Sequence, residues 1–260
     1  MNPARSGVLR LGTQGFAFDD WVGPFYPPGT PKAAYLERYA EHFSTVEIDS
    51  TFYGTPRPAV VRGWAARTPP GFVFAAKFPR EITHDRRLVG ADDAAAEFVE
   101  VMQRLGDKLG PLTLQFAFDF SPAEFDRLAA FLDRLPAGPR YAVEVRDRRW
   151  LTSAFVRALS ARGVALVLQD LFYMPKLEWL TAAFTVIRWL GRRSDIERFD
   201  RLQIDRSKDL APWVGRVGRF LEAGVDVFGY FNNHYAGHSP ASVRQFEALV
   251  AAAGEPPWPR

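Results

Sequence analysis

Tyr141-Ala142-Val143-Glu144-Val145-Arg146 begins apolar and ends with a carboxylate and a guanidinium two residues apart. Read as a strand, its period of two puts Glu144 and Arg146 on one face. The same design recurs along the chain. Runs rich in β-branched and aromatic residues predict strands at Val8–Gly12, Thr45–Asp49, Phe72–Lys77, Leu112–Phe116, Tyr141–Arg146, Val164–Gln169, Phe184–Trp189 and Val225–Tyr230.

Helical patterns lie between most of these runs, with legible starts and stops. Thr30-Pro31 opens one, with proline expected at the first helical position, where its missing N–H costs nothing. Ser121-Pro122-Ala123-Glu124 reads as a capping box, and Ser239-Pro240 opens the last helix. Gly163 and Gly224 stand where a chain leaves a helix in the left-handed region. Leu128, Phe131, Leu132 and Leu135 recur at helical spacing, as do Phe155, Val156 and Leu159.

Eight strands alternating with helices over 260 residues predict an α/β fold, a single (β/α)8 TIM barrel taking residues 1–260 as one domain. A doubly wound sheet is the alternative. It usually has a Gly-rich first turn, and Gly12-Thr13-Gln14-Gly15 does not complete G-x-G-x-x-G.

Composition narrows the chemistry. With 47% hydrophobic and 24% charged residues the chain is globular. The absence of cysteine excludes disulfides, thiolate zinc sites, iron–sulfur clusters and a Cys nucleophile. The net charge is +3 and the pI about 9.2, almost all of the base being arginine, with only five lysines. Met1–Gly7 has no apolar core like that of a signal peptide, and no run of about 18 apolar residues occurs, so a soluble, cytoplasmic protein with no membrane association is expected.

Polar groups gather where the predicted strands end. Glu47 and Asp49 close the second strand, Lys77 the third, Gln115 lies on the fourth, and Glu144 and Arg146 close the fifth. Asp170 follows the sixth, Arg188 lies on the seventh, and Asn232, Asn233 and His234 follow the eighth. A barrel interior is normally filled with branched apolar side chains, and lone buried charges are costly, so such a ring reads as a site at the C-terminal mouth. The structural alternative is an internal ion-pair network, with Glu144 paired to Arg146, or Lys77 to Glu47 or Glu144.

Other candidates are weaker. His84, after the third strand, has the chemistry of a general acid or base or of a metal ligand, or of a loop histidine bonded to a carbonyl. His42 is placed on a helix as a structural residue. His234 and His238 are separated by Gly237, which does not favour a helical metal pair. Trp64, Trp150, Trp179, Trp189 and Trp213 read as packing residues. Phe16, Phe18, Trp21, Phe25 and Tyr26 in the first loop either stack on a sugar or base or cover the barrel. The loop after strand seven carries Arg192, Arg193, Arg198, Arg201 and Arg206, and a phosphate there would suit the fold.

With these residues in view, the chain resembles the domain of unknown function 72 family, the YecE-like proteins. The resemblance rests on Gly12-Thr13-Gln14-Gly15, Trp21, Tyr26-Pro27, Tyr39-Ala40-Glu41-His42-Phe43 and Thr45 through Tyr53. It continues through Trp64, Phe72 through Lys77, Ile82-Thr83-His84, Leu88, Leu114-Gln115-Phe116, Ala142 through Arg146, Trp150, Arg188, Gly191 and Phe231-Asn232-Asn233. It implies a TIM barrel, sometimes described as related to sugar isomerases, without naming a reaction. The family commonly has Asn where Asp49 stands, His-x-Ser-Trp where Asp147-Arg148-Arg149-Trp150 stands, and His where Leu190 stands. These departures weaken any shared histidine chemistry.

The leading expectation is an enzyme acting on a small hydroxylated or anionic molecule, sugar- or sugar-phosphate-like, by acid/base isomerisation or hydrolysis. Glu47, Asp49, Lys77, His84, Glu144 and Asp170 are its catalytic candidates. Tyr53, Gln115, Arg146, Arg188, Asn232 and Asn233 are its binding candidates. A divalent metal held by the carboxylates is possible but not favoured, because Lys77, Arg146 and Arg188 equally fit an anion. Two other readings stand: a nucleic-acid-binding or processing protein, for which +3 is a modest charge, and a non-catalytic small-molecule binder. The sequence carries no sign of oligomeric state.

Overall fold

The computed structural model describes residues 6–192 and 196–253. Eight parallel strands close into a barrel in the order β1-β2-β3-β4-β5-β6-β7-β8. They are β1 (Leu9–Gln14), β2 (Thr45–Ile48), β3 (Val73–Lys77), β4 (Leu109–Gln115), β5 (Tyr141–Glu144), β6 (Ala165–Asp170), β7 (Phe184–Trp189) and β8 (Asp226–Phe231). The helices are α1 (Tyr35–Ala40), α2 (Pro58–Ala66), α3 (Asp92–Met102), α4 (Phe125–Arg134), α5 (Ser153–Ser160), α6 (Ser207–Glu222), α7 (Asn233–Ala236) and α8 (Ser239–Ala252). Every expected strand is present, and the fold is the (β/α)8 barrel.

Several boundaries move, each for a local reason. β1 continues to Gln14 instead of stopping at Gly12, because Thr13 is held at both ends: its amide and its hydroxyl each lie 2.9 Å from the Tyr39 hydroxyl. Gly12 is required there by closeness, since a Cβ would lie 2.1 Å from the Thr45 carbonyl oxygen. β4 starts at Leu109, while β2 and β5 stop at Ile48 and Glu144, leaving Asp49 and Arg146 one and two residues beyond the ladder.

The capping box is formed. Glu124 Oε2 accepts from the Ser121 amide at 2.9 Å, and the turn it closes leads into α4. Thr152 caps α5 by accepting from the Phe155 amide at 3.2 Å. Gly163 and Gly224 take φ of 61° and 78°. Pro31 corrects the expected start: it is extended, ψ 150°, and precedes the 3₁₀ turn Lys32–Ala34 instead of occupying its first position. His42 is likewise not helical but lies in the turn after α1, its ring 5.0 Å from that of Phe25.

Contacts group the chain into two compact units, taken over their described residues. The first comprises Met1–Val46, Leu168–Glu178 and Ala183–Arg260. Here Trp189 stacks on Phe231 at 4.2 Å and meets Trp213 edge-on at 5.7 Å. The first loop is part of this core: Trp21, Phe25 and Tyr26 are buried, and Tyr26 stacks on Tyr35 at 4.6 Å. These three rings pack within the unit's core. The second unit comprises Glu47–Val167 and Trp179–Ala182. Trp150 stacks on Phe120 at 5.4 Å and donates its indole N–H to the Phe120 carbonyl at 2.8 Å. Each fully buried ring contributes on the order of 2–3 kcal/mol of transfer free energy. Trp179 departs from the packing reading, being exposed. Among the described residues no helix is long and apolar enough to cross a membrane.

Candidate active site

In the second unit the strand ends carry two ion pairs. Asp49 stands at the N-cap of the 3₁₀ turn Ser50–Tyr53, but its side chain makes no cap bond. It turns instead to Lys77, with Oδ1 2.7 Å from Nζ. The expected partners of Lys77, Glu47 or Glu144, give way to Asp49 in this pairing. Glu144, 0% exposed, pairs with the half-buried Arg146, two residues on and beyond the end of β5. Register sets the neighbours: Gln115 lies opposite Glu144, and Lys77 opposite Thr113. Gln115 donates to the Phe116 carbonyl at 3.0 Å. Glu47 is fully buried on β2.

Phe52 joins the Lys77 pair to His84. The Lys77 ammonium lies 5.0 Å from the Phe52 ring centre, and the His84 ring meets the same ring edge-on at 5.0 Å. Tyr53, 81% exposed, packs edge-on against Phe52 at 5.8 Å. His84 sits in a π-helical turn, Glu81–Asp85, that follows β3. Such turns interrupt regular geometry and recur at functional sites. Its Nδ1 is 2.8 Å from the Thr83 hydroxyl, which fixes the ring orientation. Burial, and then the nearby Arg80 guanidinium, pull the imidazole below its ordinary value and toward the neutral form.

The first unit holds a second polar cluster. Gln14 Oε1 accepts from Arg188 Nη2 at 3.1 Å and from Asn232 Nδ2 at 2.9 Å. Gln14 and Arg188 are each 2% exposed. Gln14 is the residue that sequence reasoning missed. The pattern of apolar residues ends the first strand at Gly12, although Leu11-Gly12-Thr13-Gln14 carries the same signal of a strand ending in a polar group.

Asp170 closes β6 and is already well supplied. Its Oδ2 accepts from the Trp213 indole at 2.8 Å and the Tyr235 hydroxyl at 3.2 Å, and lies 3.1 Å from Lys176 Nζ. Asn233 Oδ1 accepts from Trp21 Nε1 at 3.3 Å and from the Ser239 amide and hydroxyl at 2.9 and 2.8 Å. It ties the first loop to the start of α8. His238 is buried beside Trp21, and burial, then Arg244, bring its imidazole down to about 4. In the loop after β7, Arg192 covers Phe172 at 4.1 Å, while Arg198, Arg201 and Arg206 pair with Asp200 or Asp209. Arg193 lies outside the described residues.

Chemically, the second unit brings together carboxylates, a lysine ammonium, a guanidinium and a neutral imidazole around the ends of β2, β3 and β5. Side chains of these types have the chemistry for moving protons and for stabilising charge on oxygen. Among the described residues, no group of three or more His, Asp or Glu side chains is arranged to hold a metal ion.

Comparison with known proteins places the chain in a family. Residues 10–260 match the family described as "Protein of unknown function DUF72". The UPF0759 protein YecE of Escherichia coli K12 is 39% identical over 140 residues, 52% of this chain and 52% of that protein. The match thus spans about half the length of that curated relative. A DUF72 family protein from Thermotoga maritima, known from its crystal structure, superposes with a TM-score of 0.80 at 25% identity, over 94% of this chain and 99% of the other. A GH5_18 protein from Bifidobacterium longum, solved in complex with Manβ1-4GlcNAc, shares the fold alone. Its TM-score is 0.54 at 15% identity, over 97% of this chain and 80% of that one. A family match over nearly the whole chain, borne by a barrel of the same topology, shows that the chain belongs to the DUF72 family.

Proposed function

We propose that the protein is an enzyme that transfers protons on a small polyhydroxylated substrate at the C-terminal ends of β2, β3 and β5, in an isomerisation or a hydrolysis. The observation that carries this reading is the Asp49–Lys77 pair beside Phe52 and His84, with the buried Glu144–Arg146 pair in the same unit. Stability alone does not favour charges in a barrel interior.

The roles follow from the chemistry. His84, held neutral and oriented by Thr83, accepts a proton from substrate carbon or from water and returns it to the product. Lys77 faces the oxygen on which negative charge develops, and Asp49 holds Lys77 in place. Glu144 accepts a substrate hydroxyl, and Arg146 holds that carboxylate in place. Gln115 and Tyr53 orient and cover the ring. Arg188 and Asn232 belong to the polar cluster of the first unit and take no part in these steps. Because Lys77 and Arg146 are each paired with a carboxylate, the reading favours a hydroxylated molecule over a phosphate. Asp170, with its three donors on one oxygen, is assigned to support instead of proton transfer.

The test is a panel of aldoses, ketoses and glycosides, followed by proton NMR for isotope exchange or product with the wild-type chain. Turnover on a panel member that Glu144→Gln and His84→Gln both abolish is the expected result. Unchanged turnover in either variant removes that residue's role, and absence of exchange or product across the panel overturns the reading.

A further inference from the structure

Arg87 and Leu88 are the non-glycine residues with positive φ, 48° and 68°, among the described residues. A side chain in that region costs energy, and two in succession persist only where surrounding contacts hold them. They follow, after Arg86, the π-helical turn that carries His84. The Arg86 amide donates to the Glu81 carbonyl at 2.9 Å, and the Leu88 amide reaches back to the Ile82 carbonyl at 2.9 Å. Leu88 is buried, so the return of the chain is anchored.

The side chain of Arg87 supplies the hold from the other side. Its Nε and Nη2 donate to Glu124 Oε1 and Oε2 at 2.9 and 2.7 Å, a two-point pairing. Nη1 donates to Asp119 Oδ2 at 2.9 Å and Nη2 to the Asp119 carbonyl at 3.1 Å. The guanidinium lies 5.6 Å from the Phe120 ring centre. Glu124 is also the capping-box residue that accepts from the Ser121 amide, so the loop after β3 is fastened to the entry of α4.

We propose that Arg87 is a positioning residue: it clamps the strained turn after β3 onto the loop after β4 and thereby sets where the His84 ring stands. This rests on the reading of His84 as the proton-transfer group. The strain places the turn in a geometry that its own sequence does not favour, and the clamp holds it there. The charged groups around the imidazole are Arg80, Asp85, Asp119 and Lys77. Asp119 is itself a partner of Arg87, so the same clamp sets both the ring's burial and one of its neighbours.

The experiment follows the His84 imidazole by NMR across pH in the full chain, together with amide exchange at Leu88. Arg87→Ala is compared with Arg134→Ala, which breaks the exposed Arg134–Asp92 pair elsewhere in the same unit. Arg87→Ala is expected to move the His84 midpoint up toward the ordinary histidine value of 6.5 and to speed Leu88 exchange at least tenfold. Arg134→Ala is expected to change neither. Arg87→Lys, which loses the two-point pairing, is expected to fall between wild type and Arg87→Ala. An unchanged His84 midpoint in Arg87→Ala overturns the proposal, even if the protein melts earlier. Should Arg87→Ala fail to fold, Glu124→Gln weakens the clamp, keeps an acceptor for Ser121, and is read by the same two signals. Turnover retained in His84→Gln, with the midpoint shifted in Arg87→Ala, removes the catalytic reading of His84 and leaves the clamp standing.

Discussion

The Lys77 ammonium stands 2.7 Å from Asp49 Oδ1 and 5.0 Å from the centre of the Phe52 ring. It is a cation with a carboxylate on one side and a π face on another, at the end of a buried strand. The carboxylate partner is one third exposed, which screens the pair.

Asp49→Asn should therefore cost only about 0.5–1 kcal/mol of unfolding free energy, measured by urea denaturation. Lys77→Met should lower turnover on a panel substrate by about 100-fold or more while the chain stays folded. A loss of turnover no larger than the loss of folded protein would show that Lys77 merely supports the strand end.

Glu144 is fully buried, so its pair with Arg146 behaves differently. Arg146→Met takes a guanidinium away from a buried carboxylate and should cost about 3 kcal/mol. Removing the charge as well, in Glu144→Gln with Arg146→Met, should recover part of that loss. A double-mutant cycle in denaturant measures the coupling, and additive losses would deny it.

The pH profile of stability follows from His84 and His238. Burial lowers both imidazoles, His238 to about 4, below the ordinary 6.5 of the unfolded chain. As the pH falls below 6.5 the unfolded state takes up protons that the folded state refuses. Stability is full above that value and declines as the pH falls, for His238 by up to about 1.4 kcal/mol per pH unit toward pH 4. His238→Phe should flatten the decline in melting temperature between pH 6.5 and 5, before carboxylates titrate. A profile as steep as wild type would assign the decline elsewhere.

Two glycines should respond in opposite senses. A Cβ at Gly191 would lie 1.5 Å from the His234 carbonyl oxygen, backbone against backbone. Gly191→Ala should cost about 3 kcal/mol or leave the protein insoluble. Gly63, in α2 with nothing within 4 Å of its added Cβ, should accept alanine and gain about 0.5–1 kcal/mol. Thermal melting of the two variants checks both, and a melting loss in Gly63→Ala would contradict the helix-propensity argument.

Much of this molecule is legible in one dimension. Strand and helix periods, the Ser121–Glu124 box and the left-handed exits at Gly163 and Gly224 are local matters, encoded within a few residues. Alternation along the Tyr141–Arg146 run likewise puts Glu144 and Arg146 on one side, and they meet although β5 itself ends at Glu144. The placement of charge at strand ends needs no more than this.

What lies beyond the sequence is the choice of partner between segments. Lys77 takes Asp49 because β2 ends one residue early and the Asp49 side chain, free of any cap bond, swings toward the neighbouring strand. Gln14 joins Arg188 and Asn232 only once β1 lies beside β8 in the barrel. The left-handed Arg87 and Leu88 contradict their own local preference and are held by Glu124 and Asp119, more than thirty residues away. Local propensity is set by each residue's own sterics and is carried in the sequence pattern. Ion pairs and strained turns depend on which segments the closed sheet brings together, so they appear only when the barrel has formed.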